Sequence, residues 1–139
     1  MSEIYNCVRG MVARRRTGRV RERNLSTSVF PCQFSDDGFA LLVQAIAVRS
    51  EQTRRLETAH SVVRHALAQR EVLVSSDAAD LPANAIRRGN VRIFIRLSSQ
   101  DAARFVELRD EIALAIDRGC DVRTGMVFIA DQVCRKRLN

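Results

Sequence analysis

From residue 27 onward the apolar positions switch between two periods, and the switch occurs twice. Phe30, Cys32 and Phe34 share one face of an uncharged segment, Thr27 to Phe34, and a period of two predicts a strand. Pro31 lies inside it and has no N–H to give to a ladder, which predicts an edge strand. Ser35 is placed to cap a helix, with Asp36 and Asp37 in the first turn, where the helix dipole favours carboxylates. Phe39, Leu42, Val43 and Ile46 follow at helical spacing, and the polar break Arg49 to Gln52 predicts the end of that helix. A second helix is predicted from near Thr53, with Leu56, Ala59, Val62, Val63, Ala66 and Leu67 on one face.

Residues 71 to 89 hold Ser75, Ser76, Asp77, Asp80, Pro82, Asn84 and Gly89, the composition of a linker. The pattern then returns. Val91, Ile93, Ile95 and Leu97 alternate with Arg92, Phe94 and Arg96, a second strand. Ser98 is placed as a cap, with Asp101 three residues on in a variant of the capping box. Ala102, Phe105, Val106, Ile112, Ala115 and Ile116 form the next stripe, and Gly119 stands where a helix would stop. Thr124 is read as the cap of a last helix carrying Val127, Ala130, Val133, Cys134 and Leu138. Ser35 falls on Ser98 at an offset of 63 and Thr53 on Thr124 at an offset of 71, which predicts a longer first helix in the second half.

Each half has at most 50 residues, one strand and two amphipathic helices. A lone strand lacks a hydrogen-bonding partner and so small a core is marginal, so the two strands are expected to pair antiparallel over a shared four-helix core. The predicted fold class is α+β and mostly helical. It comprises a segment 1–24, a unit 25–70, a linker 71–89 and a unit 90–139. The arrangement resembles the ribbon-helix-helix fold of bacterial and phage repressors, normally a homodimer. The resemblance covers residues 27 to 138 and implies a pseudo-dimer within one chain, itself expected to be monomeric.

Charge sharpens this picture. Lys+Arg number 23 against 16 Asp+Glu, a net +7, and only Lys136 among the basic residues is not Arg. Residues 1–24 carry seven Arg and two Glu, so this stretch reads as a basic arm whose Arg14, Arg15, Arg16, Arg19, Arg21 and Arg23 suit a polyanion. A solvated tail accounts for it equally well. Guanidinium groups favour bidentate contacts with phosphate and guanine edges, although a GC-rich coding sequence produces the same Arg bias.

A two-stranded ribbon fits the major groove and reads base edges with its outward side chains. In the second strand those are Arg92, Phe94 and Arg96; a solvated polar face explains the arginines but not an exposed phenylalanine. In the first strand the outward set is Thr27, Val29, Pro31 and Gln33, with Thr27 and Gln33 able to hydrogen-bond to bases and Val29 adding an apolar contact. Pro31 is expected opposite Phe94. The reader is thus asymmetric and suits a non-palindromic site, provided the register holds, because a slip of one residue inverts both faces. Free N–H groups at the start of each second helix bind phosphate, which nominates Thr53 with Arg54, and Thr124 with Gly125, assisted by Arg123. An ordinary cap accounts equally well for both threonines.

Two ribbon-helix-helix units in one chain, with the strand Val91-Arg92-Ile93-Phe94-Ile95-Arg96-Leu97, are similar to the Agrobacterium virulence proteins that bind the overdrive enhancer beside a T-DNA border. That resemblance implies a double-stranded DNA-binding accessory in T-DNA or conjugative DNA processing. A relaxase and a ParA-like ATPase would be its partners and the bacterial cytoplasm its compartment. A plasmid-type repressor of the same fold is the near alternative; an antitoxin would be expected to carry a toxin-wrapping tail after the last helix. From another class, a protein-interaction module could dock its Arg-rich arm on an acidic partner. No P-loop, G-x-G-x-x-G or G-x-S-x-G is present, so an enzyme is not expected, and no cofactor is implied. Cys7, Cys32, Cys120 and Cys134 are widely spaced and His60 and His65 sit five apart, so neither set forms a metal signature. No apolar run is long enough for a membrane span.

Overall fold

The computed structural model describes residues 27 to 136; the basic arm, with Arg14 to Arg23, and Leu138 lie outside the described residues. Within them the chain is α+β and mostly helical. Strand β1 (Thr27–Phe34) leads into α1 (Asp36–Thr53) and α2 (Ala59–Ala68). Two 3-10 turns, Arg70–Val72 and Ser75–Asp80, and the single-turn α3 (Ala83–Ile86) connect these to β2 (Val91–Ser98), α4 (Ser99–Ile116) and α5 (Val122–Lys136). No helix among the described residues is long and apolar enough to cross a membrane.

The strands pair antiparallel, from Thr27 opposite Ser98 to Phe34 opposite Val91, with Pro31 facing Phe94 as the alternation predicts. Among the described residues neither strand pairs with a third strand, apart from an isolated bridge of Phe34 to Arg88, so Pro31 sits on an edge where a missing donor is tolerated. Cys32, Phe34, Ile95 and Leu97 are buried on the inner face, and Phe30 packs edge-on against Phe105 of α4 with ring centroids 5.4 Å apart. Beneath them α5 is the central helix, buried continuously from Gly125 to Ala130, with α1 packed along it. That continuous burial explains the unbroken apolar run Met126 to Ala130, which no amphipathic period describes.

Both strand-to-helix junctions are built alike. The Ser35 hydroxyl accepts from the Gly38 N–H at 3.1 Å, and Ser98 accepts from Asp101 at 3.1 Å, caps that contribute about 1 kcal/mol each. The Asp101 carboxylate does not return the bond but pairs with Arg104 at 3.3 Å. Each helix then runs 18 residues and ends on a residue in the left-handed region, Arg54 (φ 62°) or Asp117 (φ 55°). The two closures match bond for bond. Arg54 and Arg55 donate to the Ser50 carbonyl, while Asp117 and Arg118 donate to that of Ala113.

These closures overturn three sequence expectations. Thr53 is the last residue of α1 rather than the start of the next helix, and the cap of α2 is Thr58. Gly119 is not a left-handed stop, because Asp117 already turns the chain. Thr124 lies inside α5 and donates its N–H to Asp121 Oδ1 at 2.8 Å, so Asp121 caps that helix. Ser35 to Ser98, Arg54 to Asp117 and Thr58 to Asp121 are therefore all separated by 63 positions, and the second half has no extra helical turns before its bend. The predicted stripes also lose members. Leu56 lies in the α1–α2 turn and is 95% exposed, Val43 and Val106 are each 46% exposed, and Ala115 faces solvent.

Residues 71–89, which have linker composition, fold onto the core. Ala78, Leu81 and Ala85 are buried, and the Ser75–Asp80 turn packs on α4. The fully buried Gln132 of α5 ties this segment down: its Oε1 accepts the Val74 N–H at 3.1 Å and its Nε2 donates to Asp77 at 2.9 Å. At the far end of the segment Ser35 Oγ donates to the Asn84 carbonyl at 2.6 Å. Two glycines permit this closeness. A Cβ on Gly38 would stand 2.4 Å from the Ala85 carbonyl oxygen, and one on Gly89 2.4 Å from that of Phe34.

Candidate nucleic-acid interface

The helices cover one face of the ribbon, and the other is lined by Thr27, Val29, Pro31 and Gln33 of β1 and Arg92, Phe94, Arg96 and Ser98 of β2. Alternation within each strand, together with the register, brings the sequence-nominated residues onto one surface. Arg92 lies opposite Gln33, Arg96 opposite Val29, and Phe94 opposite Pro31 at the centre. Phe94 is 62% exposed, an unusual placement for a ring that the opposite face of the same strand could have buried. Arg92 and Arg96 are exposed and have no hydrogen-bond or ion-pair partner among the described residues, so their guanidinium forks are available to a ligand. Gln33 differs: its Oε1 accepts from Arg88 Nε at 2.8 Å, an arginine contributed by the segment between the two halves.

The nominated phosphate residues do not assemble as expected. Thr53 and Arg54 close the C-terminus of α1, where carbonyls rather than N–H groups are exposed, and Thr53 Oγ1 donates to Glu57 at 2.7 Å. The α2 start is instead organised by Thr58 and Ser61, a reciprocal capping box. Glu57, just before it, accepts from Thr53, Ser61 and Arg55, and these hydrogen bonds hold its carboxyl down at about 2. A negative charge thus already stands beside the α2 N-terminus.

At the α5 start Arg123 is pinned, with Nε donating to the Ile86 carbonyl at 2.8 Å and Nη2 to Asp121 at 3.2 Å. Burial raises the Asp121 carboxyl, but hydrogen bonds from Thr124 and the charges of Arg123 and Arg109 outweigh it, so it ionises below its ordinary value. Gly125 is buried rather than open to an approaching phosphate: a Cβ there would meet Phe105 Cζ at 2.9 Å. Its missing side chain serves packing.

Sequence reasoning missed Thr58, Glu57, Asp121, Arg88 and Arg109. Carrying the 63-residue spacing of the two serine caps forward would have located the first and third together. Arg88 comes from the segment before β2, where it bridges Phe34, and Arg109 from the side of α4 that carries Phe105, and only the tertiary fold brings them to the end of the ribbon. Comparison with protein-family models, curated proteins and solved structures returned no match.

Proposed function

We propose that this chain is a duplex DNA-binding protein that inserts the outer face of its β1–β2 ribbon into the major groove. The observation that carries the reading is Phe94, exposed between two arginines that have no partner among the described residues, on the face of a two-stranded antiparallel ribbon opposite the helices. Such a ribbon matches the width of the major groove; guanidinium forks bond guanine O6 and N7, and an aromatic ring contacts a thymine methyl. The 63-residue recurrence of caps and turns supports a pseudo-dimer. A residue and its counterpart 63 positions on face each other only at Pro31 and Phe94, so the pseudo-twofold axis passes through that pair. The two half-sites then carry different readers, Arg92 and Arg96 on one strand against Val29 and Gln33 on the other, which suits a non-palindromic target. The resemblance of the sequence to tandem ribbon-helix-helix proteins supports a role in T-DNA or conjugative DNA processing, with a relaxase and a ParA-like ATPase as the partners it would imply.

Fluorescence anisotropy with duplex DNA carrying a candidate transfer-border region, at several salt concentrations, tests the proposal. Arg92→Ala/Arg96→Ala is expected to lose ~1–3 kcal/mol of sequence discrimination per base contact while retaining weak, salt-dependent binding. Equal affinity and equal discrimination in wild type and double variant would overturn it and favour a protein partner for the basic arm.

A further inference from the structure

A cleft of about 610 Å³ opens beside the Phe34 end of the ribbon, where β1, the Arg88 turn, α4 and the start of α5 meet. Its walls hold four arginines, Arg88, Arg92, Arg109 and Arg123, against one carboxylate, Asp121. Three of the four are tethered through Nε. Arg88 donates to Gln33, Arg109 to the Cys120 carbonyl at 3.0 Å, and Arg123 to the Ile86 carbonyl. Tethering at Nε fixes each planar group, with terminal N–H donors left on Arg88 and Arg109 and on Nη1 of Arg123, whose Nη2 donates to Asp121, and the entropy of ordering a long side chain has already been spent in folding. Arg92, with no hydrogen-bond or ion-pair partner among the described residues, lines the cleft together with Phe94.

Concentrated cationic charge in a concave site is unfavourable without an anion, and guanidinium forks match the oxygens of a phosphoryl group. The cleft is one-sided. The residues 63 positions before Arg92, Arg109 and Arg123 are Val29, Ile46 and His60, so the other half of the chain does not repeat the cluster. We infer that this cleft is a binding site for a multiply charged phosphoryl group, held chiefly by Arg88, Arg92, Arg109 and Arg123. Two sources share that chemistry: a phosphate of a nucleic-acid backbone, and a free phosphorylated small molecule. The inference does not depend on base reading by the ribbon.

The test titrates inorganic pyrophosphate into the full chain by calorimetry at low ionic strength. A saturable one-to-one heat is expected, with affinity lowered about tenfold or more in Arg88→Gln and in Arg92→Gln, since each removes charge-assisted hydrogen bonds. Arg96→Gln, on the same ribbon but outside the cleft, should bind pyrophosphate as wild type does. Arg88 and Arg92 are exposed, and an unchanged melting temperature establishes that each variant folds. Absence of saturation, or an equal loss in Arg96→Gln, overturns the site; because Arg92 serves both proposals, base reading is judged separately by the sequence discrimination of Arg96→Ala, which leaves the cleft arginines in place. A second arm identifies the source. If pyrophosphate displaces duplex DNA and Arg88→Gln weakens duplex binding, the cleft seats a backbone phosphate. If duplex binding is unaffected by either, it seats a free phosphorylated molecule.

Discussion

Gly125→Ala separates two physical explanations of one glycine. If the residue were there to let a phosphate approach a helix start, alanine would leave folding intact or improve it. Replacing a helical glycine gains up to about 1 kcal/mol from the unfolded chain's lost freedom. The packing argues the opposite. The added Cβ would lie 2.9 Å and 3.0 Å from Phe105 Cζ and Cε1 and 3.2 Å from Arg109 Cγ. Arg109 can bend away, but Phe105 cannot. Its ring is fully buried, meets Phe30 edge-on at 5.4 Å, and lies 5.9 Å below the Arg109 guanidinium. Overpacking costs ~1–3 kcal/mol, and a Cβ under 3.0 Å from a buried ring that cannot shift belongs to the upper half of that range, ~2–3 kcal/mol, so the expected net destabilisation is about 1–2 kcal/mol after the helical gain is subtracted. For a chain of this size that corresponds to a melting point lower by roughly 3–10 °C. Urea denaturation followed by circular dichroism measures it, and a midpoint shift without a change in slope would assign it to stability. Phe105→Leu in the same chain should return part of the loss, a coupling of about 0.5–3 kcal/mol in a double-mutant cycle. A Gly125→Ala variant as stable as wild type would refute the packing argument and restore the phosphate explanation.

Three further outcomes are expected. Because Glu57 ionises near 2 rather than at its ordinary 4.5, its network stabilises the fold fully above pH 4.5 and loses that contribution as the pH falls toward 2. Glu57→Gln should therefore lower the denaturation midpoint at pH 7 and match wild type near pH 2; a constant difference across that range would exclude the linkage. Gln132→Leu, close to isosteric, strands the Val74 N–H at a cost of ~1–3 kcal/mol and leaves Asp77 Oδ2 with its 3.9 Å ion pair to Arg135, and should hasten proteolysis within 71–89. Unchanged stability and cleavage would mean the segment is held by other contacts. Burial pushes the Cys32 and Cys120 thiols up to about 11, so both should resist alkylation at pH 8 until urea unfolds the chain. Rapid labelling of either in the native protein would place it outside the core.

Features that a few consecutive residues dictate were legible in the sequence. The alternation in 91–97 set which side chains face outward, because neighbouring residues of a strand must point to opposite sides. Ser35 and Ser98 announced their helices because a short hydroxyl satisfies an N–H three residues along without help from elsewhere. Pairing of the two strands followed from the lack of any other partner for their backbone groups. The second-helix starts were misplaced because Thr53 has a cap's chemistry but lies one residue before a left-handed turn. That turn closes on Ser50, and nothing in the local composition marks Arg54 as its pivot.

Tertiary structure alone decided the remainder. Helical spacing puts Val43 and Val106 on apolar stripes, but which side of a stripe is covered depends on how neighbouring helices cross, and both valines lie at the uncovered margin. The glycine at 125 reads as an opening until Phe105 fills the space beside it. Residues 71–89 have the polarity of a linker, yet a buried glutamine on α5 satisfies their backbone and holds them to the core. The arginine cleft joins residues from two strands, a turn and two helices. Sequence supplied its charges; only the folding of β2, α4, α5 and the segment before β2 around the end of the ribbon set them side by side, since charge repulsion gives such a cluster no local reason to form.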